Sequence, residues 1–549
     1  MDVMEWNGRP GSAGQSEAAE IGRVVEVAGG SARVILDSPA LQRLHANAEG
    51  GGVALAGEVG SLIKMKLDRL WLVAAVRSLR LEGVEGDMVA AEVDFLGEGR
   101  QCPETGHLLG FRRGVTRYPL PGCRVFAADE HDMSQVFAAE ERAHIEIGTV
   151  YPTSDVRGAL YIDALLGRHF ALVGSTGTGK STSLALILHR ICEMAPQGHI
   201  VMIDPHGEYP AAFEGYGELF DVENLAVPYW LMNFEEHAEV LVTSEGAERQ
   251  RDLDVLAKCL LAARSKSRAA EGMAKVTVDS PIPYLLSDLV AFIVAEMGKL
   301  DRAGDTGPYM RLKTKIEEIR SDPRYAFMFS GMLVGDTMAA TLARLFRLPT
   351  MGKPISIIDV SGVPSEITSV VVALLSRLVF DYAIWSRHET PRPILLVCEE
   401  AHRYIPSERV AGNSAVRRVL ERIAKEGRKY GVSLGLVTQR PSDLAEGVLS
   451  QCGTIIAMRL NNERDQAHVR AAMPEGARGF METIPALRNR QCVVCGEGAS
   501  IPMRISLDTL EENKRPASGD PLFSVLWKDS GGEAEMIARV IGRWRRQGR

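Results

Sequence analysis

Residues 174–181 place three glycines, a lysine and four hydroxyl side chains in the order Gly174-Ser175-Thr176-Gly177-Thr178-Gly179-Lys180-Ser181. This is the spacing of a phosphate-binding loop. The glycines let the backbone turn tightly so that amides face phosphate oxygens, the lysine reaches the β- and γ-phosphates, and the final hydroxyl ligates Mg²⁺. The flanks fit. Phe170-Ala171-Leu172-Val173 reads as an apolar strand, and Thr182-Ser183-Leu184-Ala185-Leu186-Ile187-Leu188 continues as a helix whose N-terminus favours anions. A functionless glycine-rich turn would need neither flank. ATP and Mg²⁺ are therefore the expected ligands. Gly174, Ser175, Thr176, Gly177, Thr178, Gly179 and Lys180 would cradle the nucleotide, Ser181 would touch the metal, and Thr182 would reach the α-phosphate.

Hydrolysis at such a loop also needs a carboxylate for Mg²⁺ and a group that orients water, both on nearby strands. Three apolar segments end in acids: Ile200-Val201-Met202-Ile203 before Asp204, Ile355-Ser356-Ile357-Ile358 before Asp359, and Ile394-Leu395-Leu396-Val397-Cys398 before Glu399-Glu400. Only the third offers adjacent acids. Such a pair divides labour, with Glu399 supporting the metal through its waters and Glu400 polarising the attacking water. Asp359 reads as a helix cap or solvated loop acid. Asp204 opens Asp204-Pro205-His206-Gly207-Glu208-Tyr209, a competent turn whose polar content places it near the nucleotide. Gln439 follows Gly435-Leu436-Val437-Thr438 and precedes Arg440-Pro441. It is the candidate γ-phosphate sensor at the tip of the strand beside the loop; the alternative is an amide capping the loop before Pro441.

These groups need a scaffold. From about residue 150, apolar strands alternate with helical periods, the pattern of a parallel α/β sheet. Upstream, short β-rich pieces such as 22–27, 31–36 and 70–76 are separated by turn signals, with Gly29-Gly30 as a hairpin turn, and suggest a small antiparallel barrel. The expected organisation is a flexible tail (1–20), a β-barrel (21–146), the first part of the α/β core (147–239), a helical insertion (240–345), the second part of the core (346–510) and a C-terminal extension (511–549).

At 549 residues, 46% hydrophobic and 24% charged, the chain has the composition of a globular protein with ample core. No uninterrupted apolar run reaches the roughly 18–20 residues that span a bilayer. The first residues lack the basic start and apolar stretch of a secretory signal, so a cytoplasmic protein without membrane contact is expected. Eight cysteines in so long a chain do not suggest a disulfide framework. A net charge of -8 argues against a broad nucleic-acid surface, but a basic channel within an acidic ring responds to local charge.

Several segments in order resemble the HerA family of P-loop ATPases. They are Ile147-Gly148-Thr149-Val150-Tyr151-Pro152-Thr153-Ser154, Gly167-Arg168-His169-Phe170 with the loop, Asp204-Pro205-His206-Gly207-Glu208-Tyr209, Glu399-Glu400-Ala401-His402, and Lys425-Glu426-Gly427-Arg428-Lys429-Tyr430-Gly431 through Pro441. The resemblance covers roughly residues 20–510. It implies a barrel related to that of ATP synthase subunits, a RecA-like core with a helical insertion, and a homohexameric ring that translocates double-stranded DNA. It also implies an effector partner, such as a nuclease or a sirtuin-like enzyme, in DNA end processing or antiphage defence. One departure is the acidic pair, whose first member is often Asp in P-loop motors and is Glu399 here. Ring ATPases usually complete the site with a neighbour's arginine. Arg428 matches the family segment by position and is the candidate finger, with Arg422 second; Arg417 and Arg418 read equally well as a solvated helix face. With Arg409, those two are also candidate DNA contacts. Two rival readings are a secretion or conjugation motor and a ring scaffold that activates an effector enzyme.

Other signals are weaker. Cys492-Val493-Val494-Cys495 lacks the second ligand pair that structural zinc requires. His402 can hydrogen-bond beside the acidic pair but is no metal site by itself. The basic end Arg543-Trp544-Arg545-Arg546-Gln547-Gly548-Arg549 closes an amphipathic helix from Ala534, with DNA, a partner or plain solvation as its possible roles.

Overall fold

The chain runs first through short alternating strands. The computed structural model describes residues 19–47, 57–82, 88–300, 305–330, 334–407, 414–474, 477–517, 523–528 and 534–546. Arg409 and residues 1–18 of the expected tail lie outside them. Two units emerge, residues 1–162 with 454–508 and residues 163–453 with 509–549.

In the first unit, β1 (Glu20–Ala28) turns into β2 (Ser31–Asp37) through Gly29-Gly30, with Ala28 paired to Ser31 and Gly29 at φ +59°. That left-handed backbone suits glycine and makes the tight hairpin. There follow β3 (Leu62–Leu67), β4 (Leu70–Glu82), β5 (Met88–Gln101), β6 (Leu108–Arg113) and β7 (Arg124–Ala127). Their order is β2-β1-β7-β3-β4-β5, and β2 pairs again with β5, so six antiparallel strands close into a barrel with β6 attached outside. Side chains alternate along each strand. Val34 and Leu36, Ile63 and Met65, and Leu72, Ala74 and Val76 thus fill one buried cluster. The hairpin of β8 (His144–Val150) and β9 (Arg157–Tyr161) completes the N-terminal part of this unit.

The second unit is built on β10 (Phe170–Val173), β11 (Ile200–Asp204), β12 (Gly217–Phe220), β13 (Ile355–Asp359), β14 (Ile394–Cys398) and β15 (Val432–Thr438), all parallel in the order β12-β13-β11-β14-β15-β10. Every residue of β10, β11, β13, β14 and β15 is buried, as expected of a parallel sheet covered on both faces. Between β12 and β13 the described residues hold helices and no strand, chiefly Phe234–Leu241, Gly246–Ser265, Leu286–Met297 and Gly307–Ser321. This is a RecA-like sheet with an N-terminal barrel and a helical insertion. The C-terminal extension includes the helix Ala534–Arg546.

Among the described residues one helix, Ser365–Trp385, is long and apolar enough to cross a membrane by length and composition, with mean hydropathy 1.8. Two thirds of that window is buried in the protein, and Arg377 within the helix is ion-paired to Glu236. It is a core helix.

Finally, β16 (Thr454–Met458), β17 (Gln491–Gly496) and β18 (Met503–Leu507) return to the first unit, where β18 pairs antiparallel with β8. Cys492 and Cys495 are buried in β17, and burial pushes both thiols up to about 12.

Candidate nucleotide site at the carboxyl edge of the parallel sheet

Parallel strands present their carboxyl ends along one edge, where open α/β sheets bind ligands. Register brings Val173 beside Thr438, Cys398 beside Leu436, and Asp204 beside Asp359. The glycine-rich loop and all three acidic strand ends therefore share one edge. The acidic strand β14 is not the immediate neighbour of β10: β15 runs between them. Gln439 thus stands between the loop and the two glutamates, at the tip of the strand beside the loop as the sequence suggested.

The loop turns on two left-handed glycines. Gly177 and Gly179 have φ +76° and +95°, a conformation costly for any residue with a Cβ. The helix Lys180–Met194 begins at Gly179 without a side-chain cap, so its first amides keep the anion-binding potential of a bare helix N-terminus. Thr178 Oγ1 braces the loop by donating to the Ser175 carbonyl at 2.8 Å. Lys180 is buried and donates to the same carbonyl at 3.2 Å. Burial lowers its pKa against the opposing pull of Glu399, Glu400 and Glu208. Thr176 Oγ1 donates to Gln439 Oε1 at 2.5 Å, tying the loop tip to the end of β15.

The two glutamates differ in how fully they are used. Glu399 accepts from the Tyr209 hydroxyl at 3.0 Å and from the Glu400 amide at 2.6 Å. Burial and the neighbouring Glu400 push its pKa up to about 7. Glu400 takes left-handed angles, φ 51° and ψ 44°, a conformation that costs a non-glycine residue about 1–3 kcal/mol. Its Oε2 is buried without a hydrogen-bond partner. His402 Nδ1 lies 3.1 Å from that oxygen but is better aligned with Thr438 Oγ1, at 3.0 Å. Burial lowers the His402 pKa against the pull of Glu400.

Asp204 is used differently from a nucleotide contact. Its Oδ1 accepts from the His206 and Gly207 amides and its Oδ2 from the Tyr209 amide, at 2.9–3.1 Å. It shapes the 205–209 loop, which in turn delivers Tyr209 to Glu399. Asp359 accepts from the Ser361 amide at 2.8 Å, as a turn cap, and is buried rather than solvated. Tyr209 and Glu208 were not singled out from sequence. Both stand in the segment that begins at Asp204, where a tyrosine after a glycine turn was the available signal.

Arg428 lies elsewhere. It is exposed in the turn Gly427–Tyr430, ahead of the amino end of β15, whereas the loop meets that strand's carboxyl end. Seven strand residues at about 3.3 Å each put the two roughly 20 Å apart, too far for Arg428 to serve its own subunit's loop. Arg422 pairs with Glu426 at 3.5 Å and covers the Phe380 ring. Arg417 pairs with Glu421 at 2.7 Å and Arg418 with Glu235 at 2.9 Å, all on the helix Ala415–Glu426 or its neighbour.

Fold and edge together define a P-loop ATPase, an ATP-hydrolysing enzyme. The family model described as "Helicase HerA, central domain" matches residues 145–379. Over 487 residues the chain is 26% identical to the DNA double-strand break repair helicase HerA of Pyrococcus furiosus, covering 80% of this chain and 83% of that protein. It is 25% identical over 486 residues to a probable DNA double-strand break repair helicase HerA of Methanocaldococcus jannaschii, covering 82% and 92%. Among solved structures, VirB4 of Thermoanaerobacter pseudethanolicus shows 14% identity and a TM-score of 0.48 over 68% of this chain and 98% of that one, a likeness too partial to bear on function. Residues 145–379 thus match the HerA central domain, and the resemblance of the sequence to HerA holds over most of the chain.

Proposed function

We propose that this chain is a cytoplasmic, Mg²⁺-dependent motor that assembles as a homohexamer, hydrolyses ATP to translocate double-stranded DNA, and works with an effector such as a nuclease or sirtuin-like enzyme. DNA end processing or antiphage defence would be its setting. The observation that carries the chemistry is the buried Glu400 oxygen that accepts no hydrogen bond, facing a lysine and an uncapped helix N-terminus. Such a group awaits a ligand. The DNA reading rests on relatives named as DNA double-strand break repair helicases that align over most of this chain.

The residues fit ATP and Mg²⁺. The loop from Gly174 to Thr182 would hold the phosphates, with Lys180 for the β- and γ-oxygens, and Ser181 with Glu399 would hold the metal, Glu399 by way of its waters. Bound Mg²⁺ neutralises charge on the phosphates. Glu400 orients the attacking water, and Gln439 reports the γ-phosphate to β15. Arg428 completes a neighbouring subunit's site, a reading supported by its exposure and its distance from its own loop. DNA contacts of this kind go to phosphates and release counterions. Arg417 and Arg418 can serve only by exchanging their present glutamate partners.

ATPase rates measured against duplex length and salt test the proposal, alongside mass measurement of the assembly. Sequence-independent stimulation that fades steeply with salt is expected. An assembled protein that neither binds nor responds to duplex DNA at low salt leaves a scaffold or secretion motor instead, and an active monomer removes the finger in trans. Co-purification with the untagged chain identifies the effector.

A further inference from the structure

His169 immediately precedes β10 and is buried at φ +58°, a left-handed backbone that a non-glycine residue keeps only where contacts enforce it. Its ring makes two hydrogen bonds. The Leu434 amide in β15 donates to Nδ1 at 2.9 Å, which leaves the proton on Nε2, 3.1 Å from the Ala424 carbonyl. That carbonyl lies in the last turn of the helix Ala415–Glu426, beside the Ile423 carbonyl that the Gly427 amide caps. The imidazole therefore closes a helix end. Burial lowers its pKa and keeps the ring neutral, as this donor–acceptor pairing needs.

Three residues beyond Ala424 begins the turn Gly427–Tyr430 that carries Arg428. The turn is seated tightly. A Cβ on Gly427 would lie 2.7 Å from the Val432 carbonyl, and Gly431 closes the turn at φ +76°. On the other side of His169, only the four buried residues Phe170–Val173 separate it from Gly174 and the phosphate loop. One ring thus joins the foot of the loop strand, the end of the arginine-bearing helix and the strand that ends at Gln439.

We propose that His169 is a positioning residue that fixes the Arg428 turn to the foot of the phosphate-loop strand, so that the arginine a subunit offers its neighbour is registered to its own nucleotide loop. This rests on Arg428 acting in trans. A histidine that merely fills the core would, when replaced, damage its own subunit's nucleotide site; a positioning histidine damages its neighbour's.

The test uses full-length His169→Phe, which keeps the ring volume and loses both hydrogen bonds, and His169→Gln, whose amide supplies a donor and an acceptor. His169→Phe should bind ATP within about twofold of wild type while turnover falls about a hundredfold, the scale of a misplaced catalytic group. Mixing it with Glu400→Gln protein, which has an intact finger and an idle site, should restore part of the activity, as should mixing Arg428→Ala with Glu400→Gln. His169→Gln should retain most turnover. If His169→Phe does not fold, His169→Asn, too short to span both partners, is measured in the same way. Wild-type turnover in the folded variant, weakened ATP binding, or a turnover loss that mixing leaves unrepaired while Arg428→Ala is repaired would overturn the inference alone. Undiminished turnover in Arg428→Ala would instead remove the finger reading beneath it.

Discussion

Each unit buries a lysine, and the two are treated in opposite ways. In the barrel, Lys64 is fully enclosed and donates to Asp132 Oδ2 at 2.5 Å, with its ammonium 4.7 Å from the Trp71 ring centre. Asp132 is also saturated: Oδ1 accepts from the Leu108 amide and Oδ2 from the Asp129 amide. In the second unit, Lys180 faces three glutamates yet donates only to a loop carbonyl, and the Glu400 Oε2 accepts no hydrogen bond. A finished buried network specifies a structure; an unfinished one stores electrostatic potential for a ligand. Buried charge alone does not mark a functional site. Incomplete pairing of that charge does.

Substitutions should separate the two cases. The largest effect is expected from Glu400→Gln, with turnover falling about 10²–10⁴-fold, the range for losing a positioned base. ATP binding measured by calorimetry should persist, and normal turnover would transfer the role to another acid. Next is Lys64→Ala, which strands Asp132 in the barrel and should cost about 3–5 kcal/mol of stability. Chemical denaturation followed through amide exchange in β3 reads that loss, while ATP affinity stays unchanged. The paired change Lys64→Met with Asp132→Leu should recover most of the stability, because removing both charges leaves neither stranded.

Lys180→Ala should do the reverse. It weakens ATP binding by about 1.5–3 kcal/mol, the scale of a charged hydrogen bond, and leaves the denaturation midpoint in place. Equal stability losses at Lys64 and Lys180 would erase the distinction between them. The smallest effect concerns acid. Burial would raise the Asp132 pKa, but the Lys64 hydrogen bond and charge and the Leu108 and Asp129 amides outweigh it and hold the carboxyl below its ordinary range. Its stabilisation is thus fully present above the unfolded value of about 3.9 and is lost only as pH falls through the lower folded value. As the pH falls through that lower folded value, protection in β3 should therefore decline in the wild type and stay level in the Lys64→Met, Asp132→Leu variant, which has no carboxyl there to protonate.

Much of this was legible in the sequence because its signals are local. The phosphate loop carries its own flanking strand and helix, and apolar runs ending in acids announce strand ends at a carboxyl edge. The barrel's alternation and the Gly29-Gly30 turn are equally local. What was hidden depends on contacts distant in sequence. Tyr209 reaches Glu399 across 190 residues, and no spacing rule connects them. The lysine on β3 and the acid in the helix Glu130–Phe137 look like ordinary surface charges until the fold buries both. The basic helix was ambiguous for another reason: Arg417 pairs with Glu421 one turn along the same helix, as any solvated face would, and Arg418 finds Glu235 on a second helix whose placement no periodicity encodes.

The return of β16–β18 to the first unit also sets an order of events during synthesis. The barrel strands are complete by Ala127, so that ring can close early. The edge of β8 has no such fortune: Arg157 meets Asp508, just past β18, at a separation of 351 residues. At roughly 5–20 residues per second, the hairpin waits tens of seconds on the ribosome with an open strand edge while the whole nucleotide-binding unit emerges. An exposed edge is an invitation to wrong partners. A nascent chain of this kind is most vulnerable to aggregation before its last hundred residues appear, and truncations that end before Met503 should be insoluble for reasons unconnected with ATP.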